Sequence, residues 1–170
     1  WRARFWGHEP QTDIALLERG FHIVYIDVAE MYGNEESIKF WNQFYDYMQN
    51  VGMSKKVVLE GMSRGGIYAY NWALQNPNKV AAVYADAPVL DMKSWPGGLG
   101  KGPGSKDDWT IFKNDFRLTE EQAKNFKNSP LDNAELIAKG GYPMLHVVGD
   151  ADEVVPVDEN TNPFEVRIKN

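Results

Sequence analysis

Apolar runs and amphipathic stretches alternate along this chain. Residues 21–26, Phe-His-Ile-Val-Tyr-Ile, form a β-branched and aromatic run that ends at Asp27 and predicts a strand. Upstream, residues 13–19 read as a short helix closed by Gly20, the residue that most cheaply takes a left-handed cap. Downstream, Asn34 is placed to cap a helix whose first turn carries Glu35 and Glu36, where carboxylates suit the helix dipole. Ile38, Trp41, Tyr45 and Met48 recur along it at one-face spacing, and Gly52 closes it.

Residues 56–60 predict a second strand, residues 67–74 a helix ended by Pro77, residues 80–85 a third strand and residues 144–148 a fourth. Apolar strands separated by helices predict a mostly parallel sheet buried on both faces, hence a three-layer α/β/α sandwich. The long stretch from 90 to 130 breaks the rhythm. Residues 94–104 are too rich in Gly and Pro for regular structure. A small helix then fits residues 119–127, with Thr119 and Gln122 spaced as a capping box. An excursion of this length between strands reads as a lid or insertion within one domain spanning residues 1–170. A last helix, capped by Asp132 and closed by Gly140, returns the chain to the fourth strand.

Composition narrows the field. At 170 residues the chain is long enough to bury roughly 70% of its unfolded surface, and 43% hydrophobic content excludes a disordered chain. Eighteen basic against 24 acidic residues give a net charge of −6, which argues against a general nucleic-acid binder. No apolar run approaches the ~20 residues of a membrane span, so no membrane partner is expected. With no cysteine, disulfides, thiolate metal sites and Cys nucleophiles are excluded, although the compartment is not identified by that. The first residue is Trp1, so we expect a fragment or a processed chain whose targeting segment, if any, lay upstream.

The chemistry centres on Gly61-Met62-Ser63-Arg64-Gly65-Gly66, between a predicted strand and a predicted helix. A Ser at so sharp a turn is held in strained backbone with its hydroxyl exposed, and the helix N-terminus behind it favours a developing oxyanion. By chance, a G-x-S-x-G appears in roughly one sequence in twenty of this composition. Its position after a strand makes accident a poorer account. Ser63 is therefore the candidate nucleophile, and the N–H of Arg64 the candidate oxyanion donor. The Arg64 guanidinium faces either the reacting centre or a nearby carboxylate. The Gly-rich stretch fits neither a P-loop nor a dinucleotide fingerprint, so no cofactor is implied. The acidic residues 150, 152, 153, 158 and 159 lack the Gly of a calcium loop, and no metal is expected.

Residues 57–74 resemble the nucleophile elbow of the α/β-hydrolase superfamily, and residues 144–156, Met-Leu-His-Val-Val-Gly-Asp-Ala-Asp-Glu-Val-Val-Pro, resemble its acid-bearing strand and loop. More closely, the chain resembles prolyl-oligopeptidase-like and carbohydrate-esterase-like bacterial hydrolases, a resemblance that leans toward a periplasmic or secreted location. The resemblance implies an incomplete α/β-hydrolase topology, with Asp152 as the acid of a Ser–His–acid triad and Asp86 as the alternative acid or a pocket residue. It also implies a catalytic His a few tens of residues after Asp152. His8, His22 and His146 all precede it, so the base is expected beyond Asn170; His146 and His22 read as core residues of strands. The expected function is serine-dependent cleavage of a carboxylic ester through an acyl-enzyme, on an acylated carbohydrate by preference. A serine peptidase and a non-catalytic carbohydrate-binding relative are the alternatives. Trp95 and Trp109 bracket the Gly-rich stretch, and Trp95 is the candidate platform for a sugar ring. Oligomeric state stays open.

Overall fold

The computed structural model describes residues 1–169. Four parallel strands form one sheet in the order β1 (Arg2–Ala3), β2 (Val57–Met62), β3 (Val80–Asp86), β4 (Met144–Val147). In register, Arg2 lies opposite Glu60, Glu60 opposite Tyr84, and Tyr84 opposite Leu145. The helices are α1 (Gln11–Glu18), α2 (Glu35–Asn50), α3 (Gly65–Gln75), α4 (Lys106–Asp115), α5 (Glu120–Lys124), α6 (Ala134–Ala138) and α7 (Thr161–Lys169). This is the α/β class with a parallel sheet that the alternation predicts, in an incomplete α/β-hydrolase arrangement.

One face of the sheet carries the main core. There α3 lies against β1, β2 and β3, flanked by α2 and by α6 with α7 beside it. Leu59, Val83 and Ala85 point into this layer, and Trp1 stacks on Trp41 with ring centroids 4.3 Å apart. α2 docks as its pattern requires: Ile38, Trp41, Tyr45 and Met48 are all buried, and the Asn34 side chain accepts the Ser37 N–H at 2.9 Å. Each large side chain buried there contributes about 1.5–3 kcal/mol.

The second face is covered unevenly, so the expectation of burial on both faces holds in full for one. α1 is fixed to it by Arg2, which pairs with Asp13 and, at 3.2 Å, with Glu60. Val58, Leu145 and Val147 stay exposed on it. The strand expected at residues 21–26 is not a ladder strand. β1 is only two residues long, and its outer edge supplies one bond to that segment, Arg2 N–H to Val24 C=O at 3.0 Å. His22, expected in the core, is consequently exposed.

Residues 90–130 enclose a second core. Met92, Trp95, Trp109, Phe112 and Ala123 pack with Tyr32, Ile67, Val89 and Val155. Within the excursion α5 has the expected capping box, whereas α4 was not anticipated. Its signals, Ser105 as N-cap and Trp109 and Phe112 on one face, follow the Gly-rich stretch at once. The last helix starts later than expected. The Asp132 carboxylate turns back to the Ser129 N–H at 3.0 Å, so Asn133 precedes α6 without a side-chain cap, and Gly141, not Gly140, takes the left-handed conformation.

Candidate active site

Ser63 occupies the turn between β2 and α3 with φ +49°, a left-handed conformation that costs an L-residue about 1–3 kcal/mol. Three backbone bonds hold it there. Its N–H donates to the Asp86 carbonyl at 2.8 Å, and its carbonyl accepts from Gly66 and Val89, each at 2.9 Å. The flanking glycines are steric requirements. A Cβ on Gly61 would stand 2.9 Å from the Gly66 Cα, one on Gly65 2.3 Å from the Ala3 carbonyl oxygen, and one on Gly66 2.6 Å from the Pro88 Cβ. The turn can therefore lie against β1 and the 86–89 loop only without those side chains. Ser63 is half-buried, and α3 begins at this end of the sheet, where its dipole favours negative charge, although the Gly66 and Ile67 N–H groups of its first turn are bonded to the Ser63 and Arg64 carbonyls.

Arg64 sits at the N-cap of α3, so its own N–H has no intrahelical acceptor. Its guanidinium is occupied. It pairs with Glu30 at 3.2 Å and Asp108 at 3.5 Å, and lies between the rings of Phe5, 5.1 Å away, and Trp95, 5.7 Å away. Of the two sequence readings for this side chain, carboxylate pairing is the one realised. Glu30 is shared with Arg4, and Asp108 also accepts from the hydroxyls of Tyr32 and Ser105. Burial, with that carboxylate alongside, holds the Tyr32 hydroxyl protonated far above its usual range. Arg4 and Phe5, at φ +63° and +52°, make the sharp exit from β1 at the same end of the sheet.

Asp152 follows β4 at that end. One carboxylate oxygen accepts the N–H groups of Val154 and Val155, both at 2.9 Å, leaving the other free of these bonds. With β3 between them, β2 and β4 stand about 10 Å apart. Asp86 ends β3 and meets Ser63 through its backbone. Its side chain shares the second sheet face with Met62 and lines a cavity of about 290 Å³ with Arg2, Glu9, Glu60 and Tyr84. Burial pushes the Asp86 carboxyl up, and pushes Glu60 up to about 7 with Asp13 adding to the effect.

Trp95 does not present the ring expected of a sugar platform. It is 6% exposed, its surface taken up by Tyr32 and the Arg64 guanidinium. Trp109 is buried too, its indole N–H directed at the Glu120 carboxylate. His146 lies on the helix-covered side of β4, bonded through Nε2 to the Tyr70 hydroxyl at 2.6 Å and through Nδ1 to Thr161 at 3.0 Å. Burial lowers its pKa to about 4, so it is a neutral core histidine. The side chains that brace the site and were not singled out from sequence are Glu30, Asp108, Ser94 and Asn160. Their long-range partners lie 26 to 76 residues away, and no local pattern marks them.

Against known proteins, the model of the prolyl oligopeptidase family matches residues 39–166, from within α2 to within α7. No curated protein matches the chain.

Proposed function

Because this chain belongs to the prolyl oligopeptidase family, a family of serine hydrolases, we propose that it cleaves carboxylic esters through a covalent intermediate on Ser63. The observation that carries the proposal is Ser63 itself: a left-handed residue at a strand-to-helix turn, wedged among three glycines that tolerate no side chain. In the proposed reaction the Ser63 hydroxyl oxygen attacks the acyl carbon while its proton passes to an imidazole. Asp152 steadies the imidazolium, and the Arg64 N–H bonds the oxyanion. The imidazolium then protonates the leaving alcohol, and water repeats the sequence to release the acid and free Ser63. The imidazole is not His146, whose two ring nitrogens are engaged in the core; we propose that it lies beyond Asn170, as the resemblance implies.

An acylated sugar is one member of the ester class proposed, but with Trp95 and Trp109 buried, sugar stacking gives it no support. Peptide bonds are the second reading, favoured by the family match. Fluorophosphonate labelling of the full-length protein, followed by mapping of the adduct, tests the shared chemistry. We expect modification at Ser63 and none in Ser63→Ala. No adduct under conditions that label a control esterase would make the protein a binding relative without catalysis. Turnover of aryl and sugar acetates against peptide amides then separates esterase from peptidase.

A further inference from the structure

The Gly-rich stretch does more than bridge strands. It folds into a closed strap: Gly98 and Gly104, both left-handed, cross so closely that a Cβ on Gly104 would stand 2.6 Å from the Gly98 Cα, and the Ser105 N–H donates to the Pro96 carbonyl at 2.9 Å. The outer side of the strap lies on the loop that carries Asp152. A Cβ on Gly102 would be 3.2 Å from the carbonyl oxygens of both Glu153 and Val154. A Cβ on Gly100 would fall 2.3–2.5 Å from the Glu159 carboxylate. That carboxylate accepts from the Lys101 N–H and, at 2.6 Å, from the Ser94 hydroxyl.

Beneath it Asn160, 1% exposed, ties both segments together. Its side-chain oxygen accepts the N–H groups of Leu90 and Asp91 at 2.8 and 3.1 Å, and its amide donates to Ser94 Oγ and the Pro156 carbonyl at 3.2 and 3.1 Å. The N–H groups that fix the Asp152 carboxylate belong to Val154, whose carbonyl lies against Gly102, and to its neighbour Val155. The segment between β4 and α7 is thus held on the C-terminal side of the turn bearing Asp152, from Glu153 to Asn160.

We infer that the strap and its anchors Ser94, Glu159 and Asn160 are positioning residues that set the Asp152 carboxylate against the catalytic imidazole. The inference rests on the proposal that Asp152 is the acid of a serine triad. A displacement of order 1 Å at such a group costs about 100-fold in rate, and the glycines of the strap serve as space for close approach, to backbone at Gly98, Gly102 and Gly104 and to the Glu159 carboxylate at Gly100.

The experiment compares Gly100→Ala, Glu159→Ala and Glu159→Gln in the full-length enzyme, with Ser63→Ala and Asp152→Asn as references, on an aryl ester. Gly100→Ala puts a methyl where the movable Glu159 carboxylate sits, so the carboxylate must swing away from the Ser94 hydroxyl and the Lys101 N–H, and Glu159→Ala removes it. Each is expected to lower kcat about tenfold or more with KM nearly unchanged, and to move the acidic limb of kcat/KM to lower pH as the imidazole loses its anionic partner. Glu159→Gln keeps an acceptor for the Lys101 N–H and offers its amide to Ser94 Oγ, so it should restore most of kcat. A merely structural loss reduces the folded fraction and leaves the limb where it was. Should Glu159→Ala fail to fold, Gly100→Ala and Glu159→Gln still decide. Wild-type kcat and limb in Gly100→Ala, or a Glu159→Gln variant as slow as Asp152→Asn, overturns the inference. Full activity in Ser63→Ala or Asp152→Asn instead overturns the triad on which it rests.

Discussion

The two sides of the candidate site are held by opposite means. At the elbow, position comes from missing side chains: Gly61, Gly65 and Gly66 let α3 press against β1 and the 86–89 loop, and Ser63 takes the strain within six consecutive residues. At the acid loop, position comes from side chains reaching across the chain, Glu159 to Ser94 over 65 residues and Asn160 to Leu90 over 70. The first construction is local and steric. The second is distant and made of hydrogen bonds, so it is weakened by pH and by single truncations that the elbow ignores.

The largest effect belongs to the elbow. Gly65→Ala sets a methyl 2.3 Å from the Ala3 carbonyl oxygen, a backbone atom that can retreat only by moving β1. We expect a loss of about 3 kcal/mol or more, read as a shift of the urea midpoint. A shift under ~1 kcal/mol would mean that β1 and α3 have slack and that the steric account of the elbow is wrong.

Next comes acid, which acts on the other side. The folded-state pKa of His146 is depressed to about 4 by burial, against the opposing pull of Glu165. Tyr70, Thr161 and Phe164 also face the ring, and none of them supplies a charge. A depressed pKa contributes stability that is fully present above the unfolded value near 6.5 and is lost as pH falls toward 4. The contribution at stake is about 3 kcal/mol at most. Melting temperature should fall across that window, and hydrogen exchange should rise first in α7 and the acid loop rather than in α3. His146→Phe should flatten the dependence. Exchange that rises first in α3 would remove the contrast between the two sides.

Third is Asn160→Ala, which strands the Leu90 and Asp91 N–H groups and the Pro156 carbonyl in a buried site. About 2 kcal/mol is expected, again by urea midpoint, and Asn160→Asp, which keeps the acceptor, should recover part of it. Equal losses in the two variants would count against the acceptor role.

The same contrast explains how much was legible beforehand. The elbow can be read because the residues that must lack a side chain all fall inside Gly61–Gly66, at a spacing that is itself recognisable, even though Ala3 and Pro88, which they press against, lie elsewhere in the chain. The core face of α2 can be read because a helix writes its buried face at a fixed period. The acid loop yields Asp152 only through resemblance, since Ser94 and Asn160 carry no local signature and meet only after β4 is in place. Segment 21–26 misled because β-branched content records fitness for a strand, while a ladder also needs a partner, and the two-residue β1 provides one bond. Trp95 misled for a related reason: a Trp beside glycines suits a ligand platform and a small core equally, and Tyr32, Ile67 and Phe112 complete the core.

Arg64 lies between the two constructions, and its expected effect is the smallest. Its N–H belongs to the elbow, but its guanidinium reaches Asp108 on α4 and Glu30 in the loop before α2, so it ties the elbow to the excursion. Arg64→Ala keeps the N–H and removes the tie. The ion pairs are partly solvated, at 21% and 22% side-chain exposure for Arg64 and Asp108, and count for little after screening. The contacts over Phe5 and Trp95 add about 0.5–1 kcal/mol each at such a site. A net loss of about 1 kcal/mol follows, together with an ester turnover within about threefold of wild type, because the oxyanion donor proposed for Arg64 is its backbone N–H. A hundredfold fall in kcat with the urea midpoint unmoved would mean that the guanidinium leaves its carboxylates to meet the substrate, and the elbow would then work through a side chain as well as through its backbone.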